Sequence, residues 1–341
     1  MKSYDNLNRL AAVTNASPSF PSLISVQYRY NSANQRTRAT REDSAYWRYE
    51  YDALGQVTAG RKHLPNDTII NGTDYAWTFD DIGNRKSATV NSQISNYSTN
   101  LLNQYASRTV PGVVDISGAA QPDAKVTVTV GSGLPQPVTR QGDFFYKQAA
   151  VDNSSAAKYV PVTVTGVKNL VGPNQEDAVT EETRPVFIPA AQENFSHDAD
   201  GNLASNAKWD FTWDGENRLI KVESSSVALA AGAPRKKLEF AYDGQSRRVS
   251  KKVYDWNGTA WALGASTRFV YDGWNLVAEI DDTGAAVRTH AWGLDLSGTL
   301  QGAGGVGGLL FTNILSLVSG PSSFSPCYCQ RADKIDPLTS M

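Results

Sequence analysis

Short stretches of alternating apolar and polar residues recur along the chain, and many open on two aromatics that flank one residue of another kind. These are YRY (28–30), YEY (49–51), WTF (77–79), FTW (211–213), FAY (240–242) and FVY (269–271). A period of two, carried by aromatic and β-branched residues, predicts half-buried strands. After each such stretch comes a polar break, and then a second alternating run such as RLIKVESS or RRVSKKVYDW. Strand, break and returning strand predict a β-hairpin, so the pattern predicts an all-β chain of repeated hairpins.

The break has its own grammar. Taking the second aromatic as anchor, copies begin at Tyr4, Tyr30, Tyr51, Phe79, Trp213, Tyr242 and Tyr271, and His197 takes that place in a weaker copy. Asp follows at Asp5, Asp52, Asp80, Asp198, Asp214, Asp243 and Asp272, and Asn31 substitutes once. Three residues later stands Asn8, Asn34, Gly55, Gly83, Gly201, Asn217, Ser246 or Asn275. An Asp carboxylate caps a turn by accepting amide hydrogen bonds from residues just downstream, and Gly or Asn tolerates the left-handed conformation a reversal needs. Each copy is predicted to be a capped hairpin. Because an isolated hairpin is marginal in water, the copies are expected to pair edge to edge into a long twisted sheet.

The spacing divides the chain. Repeats fill residues 1–105 and 193–311, with copies mostly 16 to 29 residues apart, and one long gap separates Phe79 from His197. Residues 106–192 carry VTVTV, DFFYKQ and VPVTVTG between Pro/Gly turns, which predicts a small sandwich-like module inserted in the array. Within it, residues 173–192 with Glu176, Asp177, Glu181 and Glu182 read as a solvated connector, and 312–341 as an irregular tail.

Composition sharpens this picture in a few places. A formal net charge of -2 with 19 % charged residues gives no electrostatic reason for nucleic acid or an anionic membrane as partner, and the pairs Arg36/Arg38 and Arg247/Arg248 add no net basic face. Cys327 and Cys329, one residue apart, suit neither an ordinary disulfide nor a complete zinc site and read as free thiols. The start lacks the apolar run of a signal peptide, and the stretch 298–319 is broken by Thr, Asn and Ser, against a membrane span. Localisation is left open.

Candidate chemistry is sparse. His63 in a polar loop, His197 in the repeat's aromatic slot and His290 on a strand have no nucleophile elbow beside them. Asp80–Asp81 and Asp281–Asp282 are adjacent carboxylates at turns, where glycosidase chemistry needs two facing each other across a cleft. HDADGN (197–202) begins like a calcium loop but lacks the closing bidentate Glu, and the glycines 302–308 lack the Lys-Ser/Thr of a phosphate loop. No metal or cofactor is expected, and no enzymatic activity. Trp256, Trp261, Trp274 and Trp292 are candidate stacking residues for a carbohydrate.

The copies YDNLNRLAAVTN, YDALGQVTAG, FDDIGNRKSAT, WDGENRLIKVES, YDGQSRRVSKKV and YDGWNLVAEID resemble the YD repeats of bacterial Rhs proteins, which are similar to those of teneurins and toxin-complex B/C components. The resemblance implies a spiralling β-sheet shell that encloses a C-terminal toxin or serves contact-dependent competition, within a secreted or cell-surface parent. Its partners would be the rest of the shell and the toxin. Asp336-Pro337 is followed by LTSM rather than the family's D-P-x-G ending, so self-cleavage is not carried onto Asp336. A start inside one repeat and an end beyond the array suggest an internal piece of a longer or disrupted reading frame. An adhesion or carbohydrate-binding module is the alternative, with an autoproteolytic or glycosidase-like enzyme further behind.

Overall fold

A computed structural model describes residues 2–17, 20–172 and 174–315, without the side chains of 15–24. Cys327, Cys329 and Asp336 lie outside the described residues. The architecture is almost entirely antiparallel β, with one helix of five residues among those described. Among the described residues the chain divides into two compact units, residues 2–193 and 194–315.

The first unit is built on an eleven-stranded sheet. Ten strands follow in chain order from Lys2–Tyr4 to Tyr105–Thr109, each paired with its predecessor, and Gln192–Asn194 is added at the end. Its first and last strands do not pair with each other, so the sheet does not close on itself. Burial on it is modest, with Tyr46, Ala59 and Ile70 only 2–3 % exposed.

Residues 113–188 leave this sheet as two small ones. Val113–Ala119, Phe144–Ala150 and Thr139–Gln141 form three strands, while Gln136–Pro137, Lys125–Val130, Lys158–Lys168 and Ala178–Ile188 form four. The sheets share one core: Ile116 and Phe145 from the first meet Val128, Val162 and Ile188 from the second. Alternation explains the packing, since Val126 and Val128 are buried while Thr127 and Thr129 turn to the other face. The connector expected at 173–192 is largely strand. Ala178–Ile188 pairs with Lys158–Lys168 along its whole length, and Glu181 and Glu182 sit opposite Thr165 and Val164. The acids mark a charged edge strand, a usual guard against unwanted pairing.

The module's exit and return are pinned together. The Val110 amide donates to Ala191 O at 2.8 Å and the Ala191 amide to Asn153 O at 2.9 Å. Buried Asn153 donates through Nδ2 to Val110 O and Pro189 O, at 3.1 and 2.9 Å. Beside this neck Arg108 Nε bonds Glu193 Oε2 at 2.6 Å.

The second unit is a ten-stranded sheet in chain order from Ser196–His197 to Leu309–Ile314, and it too stays open. Its core holds Trp209, Leu219, Val222, Leu238 and Phe240. Ser225 caps the short helix Ser226–Ala230, its hydroxyl accepting from the Ala228 amide at 3.0 Å. The last strand carries the array into the segment expected to be an irregular tail from 312.

Candidate functional site

What repeats in this molecule is a turn, and Asp214 shows its construction. The Asp214 amide donates to Arg218 O and the Asn217 amide to Asp214 O, both at 3.0 Å. Asp214 Oδ1 accepts from the amides of Glu216 and Arg218 at 2.9 and 3.0 Å, and Oδ2 accepts from Arg218 Nε at 2.8 Å. Asn217 has φ 58°. This is the short hairpin loop in which a turn is followed by one left-handed residue forming a bulge. The pairing accordingly slips between Thr212 and Trp213. The Arg218 amide is the largest reason that the Asp214 carboxyl is held below the usual carboxylate range.

The same bonds recur at Asp5, Asp52, Asp80, Asp198 and Asp243, with Asn8, Gly55, Gly83, Gly201 and Ser246 at positive φ. Asn31 performs the task with its amide oxygen. The calcium-like stretch is one of these turns: Asp198 accepts from the amides of Asp200 and Asn202, at 3.0 and 2.8 Å.

One copy departs. After Tyr271 the chain reverses in two residues, Gly273 and Trp274, with Asp272 opposite Asn275 in the ladder. Gly273 takes the positive φ, 56°, and Asn275 begins the next strand, 4 % exposed. Asp272 is therefore not a turn cap nor Asn275 the left-handed residue: Gly273 takes the positive φ in a two-residue reversal, although Asp214 and Asp243, each also followed by glycine, make the longer capped turn.

Sequence reading also missed copies. Asn100 accepts from the amides of Leu102 and Gln104, with Asn103 at φ 61°. Asp281 accepts from Thr283 and Ala285, with Gly284 at φ 90°. Thr99 and Ile280 occupy their aromatic places, which hid them. The available signal was the pair NSANQ and NLLNQ, which share Asn-x-x-Asn-Gln.

The copies also grip one another. In several turns the aromatic reaches the backbone just past the preceding turn: Tyr30 Oη to Leu10 O at 2.8 Å, Tyr51 to Arg36 O at 2.6 Å, Tyr242 to Leu219 O at 2.8 Å, and Tyr271 to Arg248 O at 3.0 Å. Trp213 does the same through Nε1 to Leu203 O at 2.8 Å. The residue four after the Asp reaches the other way. Arg9 donates to Asn31 O at 3.2 Å, Arg218 to Asp243 O at 3.4 Å, Arg247 to Gly273 O, and Asn202 to Asn217 Oδ1 at 2.8 Å. Arg9, Arg218 and Arg247 also lie over the rings of Tyr30, Tyr242 and Tyr271, at 4.8, 5.3 and 5.2 Å. Asp, left-handed residue, and the arginines and aromatics where present thus form a ladder along one end of each sheet.

The left-handed position supplies a direct test. Asn217→Val forces a β-branched residue into that conformation and should lower stability by about 1–2 kcal/mol, while Asn217→Gly should stay close to wild type. Thermal unfolding of the two variants compares them.

The four candidate stacking tryptophans do not gather in one place. Trp256 and Trp261 meet edge to face at 5.4 Å, with Arg235 over both rings at 4.3 and 5.1 Å. Trp274 lies beyond the far end of the strand Trp261–Asp272, whose 12 residues span roughly 40 Å. Trp292 donates Nε1 to Leu276 O at 2.7 Å, as the ladder aromatics do.

The histidines are occupied locally. His63 ends the strand Val57–His63 rather than lying in a loop; it is buried, stacks on Tyr46 at 5.0 Å, and its Nδ1 is 2.9 Å from Asp67 O. His290 Nδ1 is 2.9 Å from Thr312 Oγ1. Among the described residues no group of three or more His, Cys, Asp or Glu is placed to hold a metal ion.

The glycine-rich loop has a carboxylate at its centre. Asp295, 7 % exposed, accepts from the Ser297 amide and hydroxyl and from the amides of Ala303 and Gly305. The Ser297 hydroxyl, then those amides, pull its pKa down to about 2. A folded-state value below the ordinary 3.8 means that the stabilisation is complete above 3.8 and is lost as the pH falls through about 2. Trp292 fluorescence should report loop opening only in that acid window, and Asp295→Asn should remove this acid transition.

No model of a known protein family matches the chain. Over 103 residues it is 36 % identical to the double-stranded DNA deaminase toxin A of Burkholderia cenocepacia (strain H111), a match covering 28 % of this chain and 7 % of that protein. Among solved structures it is distantly similar to the TcdB2–TccC3–Cdc42 crystal structure, at 11 % identity over 89 % of this chain and 18 % of that one, with a TM-score of 0.33. The Photorhabdus luminescens Tc holotoxin pore follows at 11 % identity, 86 % and 17 % coverage and a TM-score of 0.27. The chain thus spans 7 % of the length of its curated relative and under a fifth of these structures' chains.

Proposed function

We propose that this chain is a non-catalytic scaffold, a portion of an Rhs-type β-shell that encloses or presents a toxin, with residues 106–192 as a module inserted in the repeat wall. The turn ladder carries this reading. The repeated Asp, Asn and Arg side chains direct their bonds at their own turn and the next one, an arrangement that extends a sheet indefinitely and aims nothing at a cleft. The stretch of 103 residues similar to a deaminase toxin, 7 % of that protein's length, supports a toxin-bearing parent. The open edges of both sheets suit a wall that continues.

Isolation of the protein from its native cells, followed by electron microscopy and mass spectrometry of the particle, tests the proposal. The chain is expected within a hollow β-assembly that holds a toxin polypeptide. A freely circulating protein with no such companion would overturn it. The carbohydrate-binding alternative predicts instead that replacing Trp256 and Trp261 abolishes retention on a glycan surface.

A further inference from the structure

Strand register places four arginines in one row across the first sheet. Arg29 lies opposite Arg38, Arg38 opposite Arg48, and Arg48 opposite Arg61, on four successive strands. Like charges directly opposite each other destabilise a sheet, so such a row needs compensation. Half of it has some. Arg61 pairs with Asp74 and Glu50 at 2.6 and 2.9 Å, and Arg48 with Asp67 at 3.0 Å.

The other half has less. Among the described residues neither Arg29 nor Arg38 forms an ion pair, and Arg38 acts on the Asp67 carboxylate only from beyond ion-pair distance. Arg38 is instead held in place, its Nε 3.1 Å from Thr40 Oγ1 and its guanidinium 3.4 Å from the centre of the Tyr46 ring. Both arginines line a surface depression of about 390 Å³ with Gln27, Thr40, Ala11 and Ala12. The small alanines leave the room, Gln27 and Thr40 add neutral hydrogen-bonding groups, and two guanidinium forks supply the charge.

We propose that this depression binds a tetrahedral dianion, a phosphate or sulfate ester, carried on a sugar-sized polar molecule. Guanidinium forks match tetrahedral oxyanions in geometry as well as charge, and the depression exceeds what the anion alone would fill. A long polyanion fits less well, because Glu50, Asp67 and Asp74 already neutralise the continuation of the row. This inference is independent of the scaffold proposal.

Calorimetry and thermal unfolding of the full chain provide the test, with glucose 6-phosphate, inorganic phosphate, inorganic sulfate and a short single-stranded DNA as probes and sodium chloride at matched ionic strength as control. Glucose 6-phosphate should bind one per chain and raise the melting temperature beyond the salt control and beyond either inorganic anion. Arg29→Gln and Arg38→Gln should each weaken that binding by about tenfold or more, and Arg29→Gln should not lower the melting temperature of the unliganded protein. Arg29→Lys should bind more weakly than wild type and more tightly than Arg29→Gln. Arg48→Gln should bind as wild type does. Equal responses to all salts, wild-type affinity in Arg29→Gln and Arg38→Gln, or binding by the DNA alone would each overturn the proposal.

Discussion

Gly72→Ala should destabilise the first unit by about 2–4 kcal/mol, the combined cost of a left-handed alanine and an overpacked contact. Gly72 has φ +84°, and an added Cβ would sit 2.5 Å from Cδ2 and 2.9 Å from Cε2 of Tyr146. That ring cannot readily yield. Its hydroxyl donates to Asp115 at 2.5 Å, and burial, followed by that bond, raises its pKa. The neighbouring Gln141 also ties the module to this strand, accepting from the Asn71 amide at 2.6 Å and donating to Ile69 O at 3.0 Å. Urea unfolding should show the loss, and Tyr146→Ala combined with Gly72→Ala should cost less than the sum of the two single changes. Simple additivity would mean that the ring is not what the methyl meets.

Glu193→Ala should cost more, about 3–5 kcal/mol, the usual penalty for removing one partner of a buried ion pair. The Glu193 and Arg108 side chains are 4 % and 13 % exposed, and they stand beside the neck through which the module leaves and rejoins its sheet. Limited proteolysis should therefore find new cleavage near Val110 and Ala191 in the variant. Replacing both residues with an apolar pair of similar volume should recover most of the stability. A loss below about 1 kcal/mol, typical of an exposed pair, would show that the neck is held by Asn153 and the backbone instead.

Local features and register-dependent ones differ in how far they can be read from sequence. The turns are legible because everything they need is local: an acceptor side chain, a residue that tolerates positive φ, and flanking strands of period two. The reading went wrong wherever one of these had a substitute. Thr99 and Ile280 stand where an aromatic was expected and concealed working turns at Asn100 and Asp281, while the Asp-Gly at 272–273 reverses in two residues where the same pair at 214–215 and 243–244 opens a capped turn. The module's strands were legible for the same local reason, although Glu181 and Glu182 disguised its edge strand as a loop.

What depends on register was not legible. The grip of Tyr242 on Leu219 O joins residues of successive copies through a geometry that only the paired strands define. The arginine row is a sharper case. Arg29, Arg38, Arg48 and Arg61 are separated in sequence by acids, aromatics and small residues, and their alignment follows from four hairpin registers acting together. Net charge suggested no basic surface, and a sum over the chain is blind to a row that crosses it.

The ladder has one more consequence, a genetic one. Each turn takes its bearings from its immediate neighbours alone, as when Arg218 reaches Asp243 and no further, so the energetics of such an array are nearest-neighbour. Duplicating or deleting one whole copy replaces a junction with an equivalent junction and leaves the others untouched. Unequal recombination between copies, ordinarily ruinous to a folded domain, would here simply lengthen or shorten the sheet.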